Sequence, residues 1–176
     1  MRGKLSGTVQ FLYGLLHHPG SREKFADNLK RELPRIPFAP DFWAFAKAGQ
    51  ELARLHLDYE KLEPYELKWI ETPRVPLSYR VEDKMRLGKD KTTLRVNPSL
   101  TLANIPPETF LYRLGNRSAL DWVIDQYQIK QDKRSGIRSD PNREDDPEYI
   151  VRLVGQVVEV SLETVRIVKG LPLAYV

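Results

Sequence analysis

Leu77–Leu102 reads LSYRVEDKMRLGKDKTTLRVNPSLTL, and its spacing breaks with the rest of the chain. Leu77, Tyr79 and Val81 alternate with polar residues, as do Met85 and Leu87, then Leu94 and Val96. A period of two places one set of side chains on a buried sheet face and the other in water. Gly88-Lys89-Asp90-Lys91 and Asn97-Pro98-Ser99 carry turn residues between these runs. The stretch therefore predicts a small antiparallel sheet of two or three strands.

Outward from it the period is helical. Towards the N-terminus, Leu5–His17 carries Val9, Leu12, Tyr13 and Leu16 on one face, and Pro19-Gly20 stops it. A second helix is expected from Ser21, its cap, to Leu33, followed by non-helical Pro34–Phe38. Asp41 caps a third helix, with Phe42, Phe45, Ala46, Gly49, Leu52, Ala53 and His56 in one stripe. Its mid-helix Gly49 implies close approach of another element. Pro64–Pro76 reads as irregular.

Towards the C-terminus, Pro106-Pro107 opens a helix over 108–114, which Gly115-Asn116 ends. Ser118 caps the next helix, with Leu120, Val123, Ile124 and Tyr127 inward. Gln128–Asp146 is a long polar loop, and a loop of that length in a compact domain usually has a function. Asp146-Pro147-Glu148 starts a final helix to Lys169, whose valines leave a strand open for 157–168. Trp43, Trp122 and Tyr127 fall on helical stripes and read as core, whereas Trp69 reads as exposed. The sum is an α+β fold, a mostly helical single domain over residues 1–176 with a small sheet near 77–102.

Composition excludes several classes. There is no cysteine among 176 residues, so disulfides, thiolate zinc sites and thiol nucleophiles are absent, as fits a reducing, cytoplasmic compartment. No apolar run reaches the length of a membrane span, and Gln10 and Tyr13 interrupt the N-terminal apolar stretch, which reads as a soluble helix and not a signal peptide.

The net charge of +4 is unevenly distributed. Lys84–Arg143 holds twelve Lys/Arg and six Asp/Glu, whereas the chain from Glu144 on holds three and six. A local basic excess is the footprint of a phosphate-binding surface. The loop carries Lys130, Lys133, Arg134, Arg138 and Asn142, and the strand-turn Lys84–Arg95, with five basic residues and one acidic, carries Lys89, Lys91 and Arg95. Clustered cations neutralise phosphates, an Arg fork matches guanine, and an Asn amide matches adenine. The alternative is structural: Lys133, Arg134 and Asp140 pair internally and staple the loop to the last helix.

Longer strings are more specific. They are YQIKQDKRSGI at 127–137, then Asp140-Pro141-Asn142; LTLANIPP at 100–107; YRLGNRSALDW at 112–122; YGLLH at 13–17; LPRIPF at 33–38; and GQELARLH at 49–56. In their order and spacing along the chain they resemble the C-terminal specificity region of type ISP restriction-modification enzymes and of related helicase- and methyltransferase-fused phage-defence proteins. The resemblance implies a target-recognition domain cut from a larger chain. Its partners would be double-stranded DNA and the methyltransferase and helicase-like domains of the same parent, with no membrane. The parent's S-adenosylmethionine, ATP and magnesium would bind elsewhere, so no cofactor is expected here. In accord, the chain lacks a G-x-x-x-x-G-K-[ST] loop and an Asn/Asp-Pro-Pro-aromatic tetrapeptide.

Two other chemistries are weaker. Pro40-Asp41 with Glu82-Asp83-Lys84 fits a metal-dependent nuclease pattern, but Asp41 already reads as a helix cap. His17, His18 and His56 lack paired ligand spacing. The sequence thus fits a non-catalytic DNA-recognition domain first, a module that couples to the methyltransferase second, and a nuclease third.

Overall fold

The computed structural model describes residues 6–24, 39 and 41–172. The described chain is α+β, and it divides into two units.

The first unit is helical and comprises the chain up to Tyr59 and from Glu163 on. Its helices are α1 (Gly7–His17), α2 (Pro19–Lys24) and α3 (Phe42–Leu57). Phe11, Leu15, Phe45 and Ala46 form its core, with Leu12, Ala39 and Leu171 against them. The buried face of α1 is centred on Phe11, Gly14 and Leu15; Val9 and Leu16, expected inward, are exposed. Backbone contact explains the difference. A Cβ on Gly49 would meet the Gln10 carbonyl, and one on Gly14 would meet that of Phe45. The two glycines let α1 and α3 touch along the face that carries them, and that fixes which α1 residues are covered.

The stripe on α3 is as the sequence predicts from Phe45 to Ala53, and Asp41 caps it through Oδ1, which accepts from Ala44 N at 2.9 Å. Trp43 lies off that stripe and is 76% exposed, against the expectation of a core position. The second helix begins at Pro19, not after it, because proline suits a first helical turn. Its predicted continuation to Leu33, and the non-helical Pro34–Phe38, lie outside the described residues.

The second unit spans Glu60–Leu162. A four-stranded antiparallel sheet runs β1-β4-β3-β2, with β1 Lys68–Glu71, β2 Arg86–Leu87, β3 Thr93–Arg95 and β4 Leu100–Ala103. In register, Leu94 faces both Leu87 and Leu102, and Trp69 faces Leu102. Leu94, Leu100, Leu102, Met85 and Val81 are buried with Leu120, Ile150, Leu153 and Val154.

Two departures concern strands. Leu77–Val81, predicted as an alternating strand, joins no ladder and leaves Leu77 exposed, because side chains take its backbone groups. Buried Asn97 donates Nδ2 to the carbonyls of Ser78 (2.7 Å) and Arg80 (2.8 Å), and Ser78 N donates to Ser99 Oγ. Asn97 Oδ1 also accepts from Ser99 N and Leu100 N, so one amide shapes the β3–β4 turn and holds the neighbouring segment. Conversely β1 lies in the segment read as irregular. Its flanking prolines suit an edge strand, and pairing with β4 makes it one.

The predicted helix over 108–114 is instead a 3-10 turn, Pro107–Leu111, followed by a hairpin of β5 (Arg113–Leu114) and β6 (Arg117–Ser118) around Gly115-Asn116. Seven residues are too few to sustain an isolated helix. Helix α4 (Ala119–Gln126) carries a capping box: Ser118 Oγ accepts from Asp121 N, and Asp121 accepts from Ser118 N. Trp122, expected inward, is partly exposed; its Nε1 donates to Leu114 O, and Arg117 lies over its ring. Helix α5 is one helix from Tyr149 to Lys169, which removes the strand alternative. Its residues up to Leu162 belong to this unit, where Gln156 donates to the carbonyls of Glu60 and Leu62.

Candidate nucleic-acid interface

The long polar loop contains a third hairpin, β7 (Lys130–Gln131) against β8 (Arg138–Ser139), with Gln131 opposite Arg138. Every residue from Gln131 to Asp140 is exposed. Its tip is nevertheless built by hydrogen bonds. Asp132 Oδ1 accepts from Ser135 N (2.7 Å), Arg134 N (2.9 Å) and Ser135 Oγ (2.9 Å). Gly136 N returns to Asp132 O, and Asp132 N donates to Ile137 O. These donors, first the Ser135 amide, hold the Asp132 carboxyl below its ordinary pKa, so it stays ionised. Gly136 has φ +70° and nothing near its missing Cβ, so glycine is there for conformation and not for room.

Both legs of this hairpin are tied to the same strip of chain. Ile129 N donates to Asp83 O at 2.9 Å. Asn142 Oδ1 accepts from Val81 N, and Asn142 Nδ2 donates to Val81 O, each at 2.8 Å. Asp140 accepts from Asn142 and pairs with Arg80, and the Asn142 bonds are first among the causes that lower its pKa. The anchor is thus the 80–83 strip and not the last helix, and it uses Asp140 without Lys133 or Arg134. Asn142, expected to reach a base, has its amide engaged within the fold.

The cations sort accordingly. Among the described residues Lys133, Arg134 and Arg138 make no ion pair, nor do Lys89, Lys91 and Arg95. Lys89 and Lys91 lie on the β2–β3 turn, with Lys91 at φ +60° and its Nζ 5.0 Å from the Phe110 ring centre. Arg95 Nε donates to Asn97 O at 3.3 Å. Lys130 points elsewhere, 3.9 Å from Asp125, a carboxylate that also meets Lys84 (3.1 Å) and Arg117 (3.6 Å). The Lys84 hydrogen bond, then the charges of Lys130 and Arg117, hold Asp125 well ionised. Arg143 stacks on Tyr149 instead, 3.3 Å from its ring centre.

Arg113 and Arg117 escaped the sequence reading as site candidates, and Lys84 and Arg86 entered it only as part of the basic 84–95 strand-turn. Lys84, Arg86 and Arg117 line a cleft of about 420 Å³ with Met85, Ile124 and Asp125. Arg86 stands directly across the ladder from Arg95, and both are exposed. Arg86 already meets the exposed Asp83 at 3.5 Å, whereas Arg95 makes no ion pair among the described residues, so the face keeps a net positive charge that suits an anion. Register alone reveals the pair; the two residues are nine apart in sequence, and only the hairpin aligns them.

Asp41 and His56, from the other two constellations, have structural partners. Asp41 is a helix cap, and among the described residues no three His, Cys, Asp or Glu side chains gather to hold a metal. His56 shares hydrogen bonds with Tyr13 Oη (2.8 Å) and Thr164 Oγ1 (2.9 Å). Burial first, then nearby His17, lowers its pKa to about 4. No helix among the described residues is long and apolar enough to cross a membrane.

A family model for the Type ISP C-terminal specificity domain matches residues 6–153. No curated protein matches the chain. Solved structures are similar as well, among them the following three. A nuclease-deletion mutant of the Type ISP restriction-modification enzyme LlaGI, in complex with a DNA substrate mimic, is 36% identical with a TM-score of 0.86, over 98% of this chain and 17% of that one. The ATP-dependent Type ISP restriction-modification enzyme LlaBIII bound to DNA is 35% identical with a TM-score of 0.87, over 99% and 12%. The DrdV–DNA complex is 34% identical with a TM-score of 0.81, over 97% and 18%. The chain thus spans less than a fifth of each of these relatives.

Proposed function

The chain belongs to the Type ISP C-terminal specificity domain family, and from that premise we propose that it holds and reads duplex DNA for a larger cytoplasmic restriction-modification enzyme. Catalysis belongs to other domains of that enzyme, an adenine methyltransferase and a helicase-like translocase, together with their S-adenosylmethionine, ATP and magnesium. The β7–β8 hairpin reaches the DNA with Lys133, Arg134 and Arg138, and Lys89, Lys91 and the Arg86–Arg95 face provide a second run of phosphate contacts. Lys130 supports the hairpin from Asp125, and Asn142 positions it.

The observation that carries this reading is the contrast within one loop. Its base is fastened by Asn142, Asp140 and Ile129, with Arg138 near the Asp140 charge, while its exposed tip holds Lys133 and Arg134, which make no ion pair among the described residues. A rigid arm with unneutralised charge is matched to a polyanion, whereas cations that stabilised the fold would be paired.

The test uses the full-length enzyme and the double variant Lys133→Glu/Arg134→Glu. Duplex affinity should fall on all sequences, and the slope of log affinity against log salt should flatten by roughly one unit per lost phosphate contact. Unchanged affinity, salt slope and site choice would make the hairpin structural only.

A coupling role for the helical unit has its own support. Trp43, Leu57, Val9 and Leu16 are exposed there, apolar side chains of the kind another domain of the parent would cover. Trp43→Ser should then weaken association with a separately expressed methyltransferase portion without altering the salt slope for DNA.

A further inference from the structure

Ile137 is the one large apolar residue in the exposed run from Gln131 to Asp140, and it is 69% exposed. It is held out by a fixed backbone. Its carbonyl accepts from Asp132 N, its amide meets Ser135 Oγ at 3.3 Å, and Asp132 fastens the residues between. An isoleucine so displayed does nothing for the core of the fold and leaves its side chain in water. Lys133, Arg134 and Arg138 surround it in sequence, without ion pairs among the described residues.

Resting on the DNA-reading function above, we infer that Ile137 is a base-contacting residue that recognises a thymine by its 5-methyl group. The major groove admits a two-stranded ribbon, and its floor offers one apolar feature, the thymine methyl. Cations on either side of the tip engage the flanking phosphates and bring the apolar side chain to the groove floor. Phosphate contacts then position the hairpin, and Ile137 specifies. Burying one methyl against isoleucine corresponds to roughly a three- to fivefold preference.

The experiment takes the full-length enzyme and a duplex that it selects itself from a randomised pool. Each thymine is replaced singly by deoxyuridine, which removes only the 5-methyl group. Wild type should lose about three- to fivefold in affinity at one thymine. Ile137→Ala should lose the same on the unmodified duplex and nothing further at that uracil. The variant removes an exposed side chain, so it folds. If no uracil weakens wild type, or if Ile137→Ala keeps the full uracil sensitivity, the thymine assignment is overturned while charge-dependent DNA binding stands. If Ile137→Ala weakens every duplex equally and abolishes DNA bending, the residue is a wedge between base steps and the assignment is likewise overturned. If Lys133→Glu/Arg134→Glu also binds as wild type does, the DNA-reading function itself has failed.

Discussion

Asn142 and Val81 are 61 residues apart, and the side-chain amide of one pairs with both backbone groups of the other, N–H and C=O, at 2.8 Å each. The pairing mimics one rung of a β-ladder. It gives an otherwise exposed hairpin a fixed root. Replacing Asn142 by Ala leaves both Val81 groups without their partner, at a cost of about 1–3 kcal/mol. Denaturant unfolding should show that loss, and hydrogen exchange should quicken at Val81 and Ile129. Asn142→Asp keeps an acceptor for the Val81 N–H but turns a carboxylate oxygen towards the Val81 carbonyl and the ionised Asp140, so its loss should be at least as large at neutral pH and should ease as pH falls.

Gly136 separates conformation from space. Its φ of +70° is unfavourable for a side chain, yet no atom lies within 4 Å of the place a Cβ would take. Gly136→Ala should therefore cost about 1–2 kcal/mol, all of it backbone strain. Gly136→Asn should cost less, since Asn tolerates that region. Equal losses for the two would point to a steric cause instead.

At Gly49 the reverse holds. The φ is helical and alanine is the better helix former, but the added Cβ would meet the Gln10 carbonyl of α1. Gly49→Ala should destabilise by about 1–3 kcal/mol through overpacking. Thermal unfolding of that variant, followed by helical circular dichroism, checks the prediction; unchanged or raised stability would show that α1 and α3 can part without cost.

His56 gives the helical unit a pH dependence. Its folded pKa of about 4 lies below the ordinary 6.5, chiefly through burial and then through His17. As pH falls, the unfolded chain therefore takes up the proton first. The stability from a neutral His56 is complete above about pH 6.5 and is lost progressively as pH falls towards about 4. After discounting for a partly exposed ring, the effect is on the order of 2 kcal/mol. Stability measured between pH 7 and pH 4.5 should decline in wild type and decline less in His56→Gln. An identical slope in both would assign the effect to other groups.

Much of the frame was legible from local chemistry. Asp41 and Ser118 were readable as caps because each is followed at once by apolar helical spacing, and Gly88–Lys91 as a turn because its residues suit no strand interior. The basic hairpin was legible only as a charged loop. Its two-residue strands carry no alternation to detect, and the Asp132 turn and Gly136 conformation that build its tip appear in sequence as ordinary polar residues.

The sequence by itself determined the α+β class, the sheet region, the absence of thiol chemistry and the place of the basic excess, since each follows from composition or from spacing within a few residues. Tertiary structure alone decided which α1 face is covered, because two glycines on separate helices had to meet. It made Lys68–Glu71 a strand by offering the edge of β4, and kept Leu77–Val81 out of the sheet by giving its carbonyls to Asn97. It also sorted the cations. Lys130 and Lys133 are alike in sequence, and only the placing of Asp125, Asp140 and Asn142 gives one of them a carboxylate and leaves the other to face solvent. A charge is free or paired according to what lies within a few ångströms, and that distance is set by the fold.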